Sequence, residues 1–231
     1  MTPHRFELAG GHPALDFLNT IQDWTVPVPV DYLGDFSDAV GFGRAAGLLT
    51  RGEARALDAT SASAEVARLR ELRGVLEQIF RRQVHGRAPA RCDLDQLGLT
   101  LTRAARATRL QGGAGAPVRS HIALGAAGAA VLRLRIAQAA AALLTSPALD
   151  RVKACPACGW FFLDVSKNRS RRWCSMASCG ASAKSRRYYR RKRGVDPARG
   201  SVSITDSAAW PVTPPLPALG SAASPYTSRP T

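Results

Sequence analysis

The chain has 231 residues, 45% of them hydrophobic and 21% charged, a share of apolar side chains that supports a packed core and excludes wholesale disorder. Lys and Arg number 32 against 17 Asp and Glu, a net charge of +15, which points to a polyanionic partner if the excess is clustered. Met1-Thr2-Pro3-His4-Arg5 opens no secretory signal, and the apolar stretch from Ile122 to Leu132 stops at Arg133, short of the ~20 residues of a membrane span, so a cytoplasmic protein with no membrane partner is expected.

Residues 1–147 read as a mainly helical domain. Asp35 to Leu49 is a predicted helix with Phe36, Val40 and Phe42 as core candidates, and Thr50-Arg51-Gly52-Glu53 fits a capping box before a short helix ending near Ala59. Ser63 to Val84 carries the clearest helical period, through Val66, Leu69, Leu72, Leu76, Ile79 and Phe80. Asp93 to Leu110 repeats that period through Leu94, Leu97 and Leu101. Gln111 to Pro117 is a Gly-rich loop, Val118 to Leu124 a short strand, and Ala126 to Leu144 an Ala/Leu helix that stops before Ser146-Pro147.

Residues 150–193 change character. Residues 151–193 hold 13 basic side chains and one acidic one, Asp164, whereas residues 1–150 hold 17 and 14. Basic residues are 28 Arg and only 4 Lys, so Arg abundance reflects coding bias; its clustering does not. Residues 194–231 carry 7 of the 15 prolines and show no apolar period, and a disordered tail is expected there. The fold class is therefore mainly α within α+β: a helical N-terminal domain with a short strand or hairpin, a small cysteine-bearing knuckle–strand–helix module, and the tail.

Four of the five cysteines, Cys155, Cys158, Cys174 and Cys179, are spaced C-x2-C-x15-C-x4-C. Thiolates suit zinc, which takes four tetrahedral ligands, and Cys155-Pro156-Ala157-Cys158-Gly159 has the form of a tight knuckle. Disulfides disagree with the missing secretion signal, and a redox C-x-x-C pair lacks its βαβ setting. An iron–sulfur cluster also takes four thiolates; the knuckle and the basic helix fit zinc better. One structural zinc per chain follows, with no position left open for metal catalysis. Cys92 is left over as a buried or inert thiol. Trp160-Phe161-Phe162-Leu163-Asp164 reads as an aromatic strand packed over the metal, which supplies much of the module's folding energy while the N-terminal helices stand without it.

Cys155-x2-Cys158-Gly159-Trp160-x-Phe162-x-Asp164-x-Ser166-x-Asn168-x-Ser170-Arg171-Arg172-Trp173-Cys174-Ser175-Met176-x2-Cys179-Gly180 resembles the CGNR zinc-finger family, and Gly11-His12-Pro13-Ala14-Leu15-Asp16-Phe17-Leu18-Asn19-Thr20 is similar to the opening of the ABATE domain found with that finger. Together the likeness covers about residues 5–193. It implies a bacterial, stress-linked transcription regulator whose finger binds DNA. The sequence departs from the family where the C-G-N-R tetrapeptide becomes Cys179-Gly180-Ala181-Ser182. No metal ligand is lost, but a family arginine is.

Gly180 to Arg193 contains no Pro and reads as a helix about 20 Å long, enough to lie in a major groove. Arg186, Arg190 and Arg193 form one row, Arg187 and Arg191 another, with Lys184 and Lys192 beside them. Arg169, Arg171 and Arg172 add candidate phosphate clamps. Tyr188, Tyr189 and Trp173 suit stacking on RNA bases, and an acidic protein surface is the other partner class. His12, Asp16 and Asn19 form a candidate small-molecule cluster; the competing reading makes them a turn and helix caps. No G-x-S-x-G is present, and Gly112-Gly113-Ala114-Gly115 lacks the Lys of a P-loop, so no enzyme is read. The function expected is a DNA-binding regulator with a sensory or dimerising N-terminal domain.

Overall fold

A computed structural model describes residues 6–58 and 62–192. The described residues up to Tyr188 form one compact unit; a second begins at Tyr189, and its described part is the last turn of a helix. The predicted tail, with Arg193, lies outside the described residues.

In chain order the helices are α1 (Pro13–Leu18), α2 (Phe36–Ala45), α3 (Arg51–Asp58), α4 (Ser63–Val84), α5 (Arg91–Ala107), α6 (Leu124–Ala127), α7 (Val131–Leu144) and α8 (Ala181–Lys192). The strands are β1 (Thr108–Gln111), β2 (Arg119–Ile122), β3 (Val152–Ala154) and β4 (Phe161–Leu163). They make two antiparallel hairpins, β1 with β2 from Thr108–Ile122 to Gln111–Arg119, and β3 with β4 from Val152–Leu163 to Ala154–Phe161. The mainly helical class with short hairpins is as the sequence implies.

α4 has the bounds its apolar period predicts, and Val66, Leu69, Leu72, Leu76, Ile79 and Phe80 are all buried. The capping box of α3 forms: Glu53 N–H donates to Thr50 Oγ1 at 3.2 Å, and Thr50 N–H donates to Glu53 Oε2 at 2.9 Å. A second box opens α2, where Asp35 and Asp38 accept each other's backbone N–H groups. α2 ends before the predicted Leu49, because Leu48 and Leu49 fold back and donate to the Gly43 carbonyl.

Two helices differ more. The one predicted to Leu110 ends at Ala107, and Thr108-Arg109-Leu110 become strand because Arg119–Ile122 offers them a partner across the Gly-rich loop. The one predicted over Ala126–Leu144 breaks at Gly128, whose φ of +56° disfavours any residue with a Cβ. The segment Leu124–Leu144 is long and apolar enough to cross a membrane by composition. In the fold α7 is the central core helix: Val131, Leu132, Leu134, Ile136, Ala137, Ala140 and Leu143 are buried against α1, α4 and α5.

The buried arginines of this domain, Arg73 and Arg133, are paired. Arg133 Nε donates to Glu65 at 2.5 Å with both side chains buried. Arg73 binds Asp31 and donates to Thr20 Oγ1 at 2.7 Å. Arg135, on α7, holds Glu53 at 2.6 Å and the Leu48 and Ile122 carbonyls, so one guanidinium ties α7 to the start of α3 and to β2.

Candidate metal centre and basic helix

The knuckle forms as its residues dictate. Gly159, at φ +72°, donates its N–H to the Cys155 carbonyl at 2.8 Å, while Cys155 N–H donates to the Trp160 carbonyl at 2.7 Å. Both sulfurs of the pair therefore face one point. The second pair arrives on a different device. Ser175 Oγ accepts the Ser178 N–H, and Met176–Gly180 makes a wide π-helical turn that runs into α8. Gly180 is packed closely: a Cβ there would lie 2.9 Å from Sδ of the exposed Met176, whose side chain would have to swing aside, and 3.4 Å from Trp173 Cδ1.

The four Sγ atoms lie within 4.8 Å of one another. Cys158 to Cys174, Cys174 to Cys179 and Cys179 to Cys158 are 3.6, 3.7 and 3.6 Å apart. Zinc–sulfur bonds of about 2.3 Å give a tetrahedron whose edge is about 3.8 Å, so the spacing suits zinc and is far longer than a disulfide. Crowding also divides the thiols' acidity. Hydrogen bonds with Cys158 and Cys174 hold Cys155 far below the ordinary thiol range, and contact with Cys155 pushes Cys158 and Cys174 above it. Sulfurs this close keep some of their protons on their own, and all four become thiolates only around a cation. The centre holds one structural zinc through Cys155, Cys158, Cys174 and Cys179. Cys92 lies outside it and is exposed, so of the expected buried or inert thiol the burial does not hold.

Strand alternation then decides what the aromatic run does. Trp160 and Phe162 pack with Cys155 and Cys174 around the metal, whereas Phe161 points the other way into the helical core against Phe80. One strand thus belongs to two cores. Residues 9–32 complete the metal's surroundings, with Ala9, Trp24 and Tyr32 packed on that cluster.

This contact explains the N-terminal signature. His12 caps α1, with Nδ1 accepting the Ala14 N–H at 3.3 Å. Asp16 is buried and accepts the Gly10 N–H at 2.8 Å; burial raises its carboxyl to about 6. Asn19 makes both of its bonds to one residue 142 positions away, donating to the Phe161 carbonyl and accepting the Phe161 N–H, each at 2.9 Å. Trp160 Nε1 donates to the Ile21 carbonyl at 2.7 Å, Trp24 N–H to the Cys158 carbonyl at 2.9 Å, and Leu163 N–H to the Gly10 carbonyl at 2.8 Å. The sequence did not mark Asn19 as a clamp on β4, because its partner is set by the tertiary fold. The side chains of Asp16 and Asn19 are committed to backbone groups.

Asp164 is a hub that the sequence reading passed over. It is fully buried and accepts Lys153 Nζ at 2.6 Å, Ser166 Oγ at 2.6 Å and the Arg171 N–H at 3.1 Å. The Lys153 ammonium holds its carboxyl well below the usual carboxylate range. A lone acid in a basic block was the available signal.

The basic residues separate into two groups. Arg171 is turned inward: its guanidinium donates to the Trp173, Ala9 and Cys174 carbonyls and lies 4.5 Å from the Phe162 ring centroid. Arg171, expected as a phosphate clamp, is a strut here between the metal layer and the N-terminal segment, with most of its donors already used. Arg169, Arg172, Lys184, Arg186, Arg187 and Lys192 are exposed, Arg172 over the Trp173 ring at 5.0 Å. No ion pair involves any of these six among the described residues. Arg190 and Arg191 lie on α8, and their side chains lie outside the described set.

Residues 11–147 match the model of the ABATE family, described as "Putative stress-induced transcription regulator". The chain belongs to the ABATE family. Residues 151–192 match the CGNR zinc finger, so the metal centre is that finger's. No curated protein matches the chain. In this ABATE protein the finger's family residues Cys179-Gly180 keep the metal and the close turn, while Ala181 and Ser182 open α8 with no basic group.

Proposed function

We propose that the protein is a cytoplasmic, non-enzymatic DNA-binding regulator, and that its finger docks α8 on duplex DNA. The observation that carries this reading is a basic helix with no neutralising carboxylate among the described residues, rooted in a metal centre whose other side is clamped to a helical core. Lys184, Arg186 and Arg187 are the phosphate contacts, Arg172 and Arg169 extend them, and Arg190, Arg191, Lys192 and Arg193 continue the basic run. Ser182 and Ser185, near the start of α8, are placed to approach base edges. The family description, a transcription regulator, supports the same assignment. Tyr188 and Tyr189, 62% and 60% exposed, favour a second reading in which single-stranded RNA stacks on them.

The test is a binding titration of the zinc-loaded chain at several salt concentrations. Log affinity for duplex DNA falls linearly with log salt, and Arg186→Ala with Arg187→Ala flattens the slope by about 2. An unchanged slope sinks the duplex reading. Tighter binding to single-stranded RNA than to duplex selects the second, and affinity only for an acidic protein selects an adaptor.

A further inference from the structure

The helical domain carries a cleft of about 460 Å³ between the end of α5 and the start of α7. The exposed Arg103 and Arg106 of α5, Arg109 of β1 and Ala126 stand on its rim, Ala107, Ala127, Ala130 and Leu134 give it an apolar floor, and Arg133, which also lines it, is already paired with Glu65. None of its lining residues belongs to the finger, and no carboxylate lines it among the described residues. Arg103, Arg106 and Arg109 are all exposed, and Arg103 and Arg106 form no ion pair among the described residues. Arg109 folds over the helix end, donating to the Arg106 and Thr108 carbonyls at 3.0 and 2.9 Å. The negative end of α5 accounts for one arginine near its last turn. It does not account for three around one hollow with an apolar floor.

We propose that this cleft binds a small organic carboxylate with a flat apolar body. Two guanidinium forks at the rim match a planar carboxylate, and a floor of methyl groups with Leu134 matches a ring or short hydrocarbon. The volume is that of a small-molecule pocket and greatly exceeds an inorganic anion. The site lies apart from His12, Asp16 and Asn19, so the sensory role expected of this domain moves from its N-terminal signature to the junction of α5 and α7.

The proposal is tested by calorimetric titration of the full zinc-loaded chain with benzoate, benzamide and inorganic phosphate, with no nucleic acid present. That keeps its failure separate from failure of the duplex reading. Benzoate binds saturably, benzamide about tenfold more weakly, and phosphate more weakly than benzoate. Arg103→Ala with Arg106→Ala weakens benzoate about tenfold. Ala126→Leu, at an exposed position on the rim, weakens benzoate about tenfold by crowding the mouth of the cleft while the melting temperature holds. Benzoate affinity equal to that of benzamide or phosphate, or unmoved by both variants, overturns the site. So does an Arg103/Arg106 variant that binds benzoate normally and loses duplex affinity, because the rim is then a nucleic-acid surface.

Discussion

Arginine is put to opposite uses in the two halves of this chain. In the helical domain Arg73, Arg133 and Arg135 reach inward to Asp31, Glu65 and Glu53 and join elements distant in sequence, while Arg81 pairs with Glu77 one turn away on α4. In the finger the one carboxylate, Asp164, is taken by Lys153, and Arg169, Arg172, Arg186 and Arg187 are exposed with no ion pair among the described residues. Side-chain type is the same in both regions; the supply of carboxylates decides. A net charge of +15 therefore understates the local field, because the helical domain's contribution is largely neutralised in place. Arg171 marks the boundary, a finger arginine satisfied by carbonyls instead of an acid.

Removing the zinc is the harshest way to break the comparison. β4 places Phe161 in the helical core and Phe162 against the metal, so the two regions share one strand. We expect chelation to lower the melting temperature of the whole chain in a single transition, with Trp160 fluorescence and helical circular dichroism lost together. Persistence of the helical signal at its original melting temperature would show that the helices stand alone, as the sequence suggests.

The next effect in size compares one substitution in both regions. Arg133→Met leaves Glu65 buried without its main partner and costs about 3–5 kcal/mol. Arg187→Met removes an exposed group with no ion pair and changes stability by less than about 0.5 kcal/mol. Chemical denaturation of both variants checks this. Equal losses would mean that α8 packs on an acidic surface after all.

What the sequence discloses follows the range of the cause. The bounds of α4, the capping box of α3 and the thiolate set rest on neighbours within a few residues or on ligand chemistry, and all are readable. Thr108-Arg109-Leu110 continues a helical pattern locally and becomes strand only because Arg119–Ile122 pairs with it. Asn19 looks like a cap or a ligand group until Phe161 lies beside it. Arg171 sits among exposed basics in sequence, yet the carbonyls that capture it come from Ala9 and from the turn at Cys174. No periodicity encodes such contacts.

A smaller effect sharpens the inward half of the comparison through pH. The Arg135 guanidinium lowers the Glu53 carboxyl from its ordinary 4.5 to about 2. A depressed acid contributes stability above its unfolded value and loses it as pH falls through the folded one, so this contribution fades between pH 4.5 and about 2. The pair is partly wet, and Glu53→Gln costs about 1–2 kcal/mol at neutral pH. Denaturation midpoints of wild type and variant should converge as pH drops through that window. A gap that stays constant to the lowest pH would remove Arg135 as the cause.

The smallest effect concerns the outward half, where this chain departs from its finger family. Ser182 is exposed in the first turn of α8, and Ala181 precedes it. Restoring the family pair, Ala181→Asn with Ser182→Arg, puts a guanidinium at the positive end of a helix, which costs about 0.3–1 kcal/mol of stability. The metal is untouched, because neither residue is a ligand, so zinc content stays at one ion per chain. If α8 meets duplex by this end, the new arginine neutralises one more phosphate, and the salt slope steepens by about 0.9. Binding should tighten at low salt and converge with wild type at high salt. A double variant that loses stability yet leaves the slope unchanged would place the start of α8 away from the phosphates, and move the contact surface toward Arg186, Arg187 and the basic run beyond them.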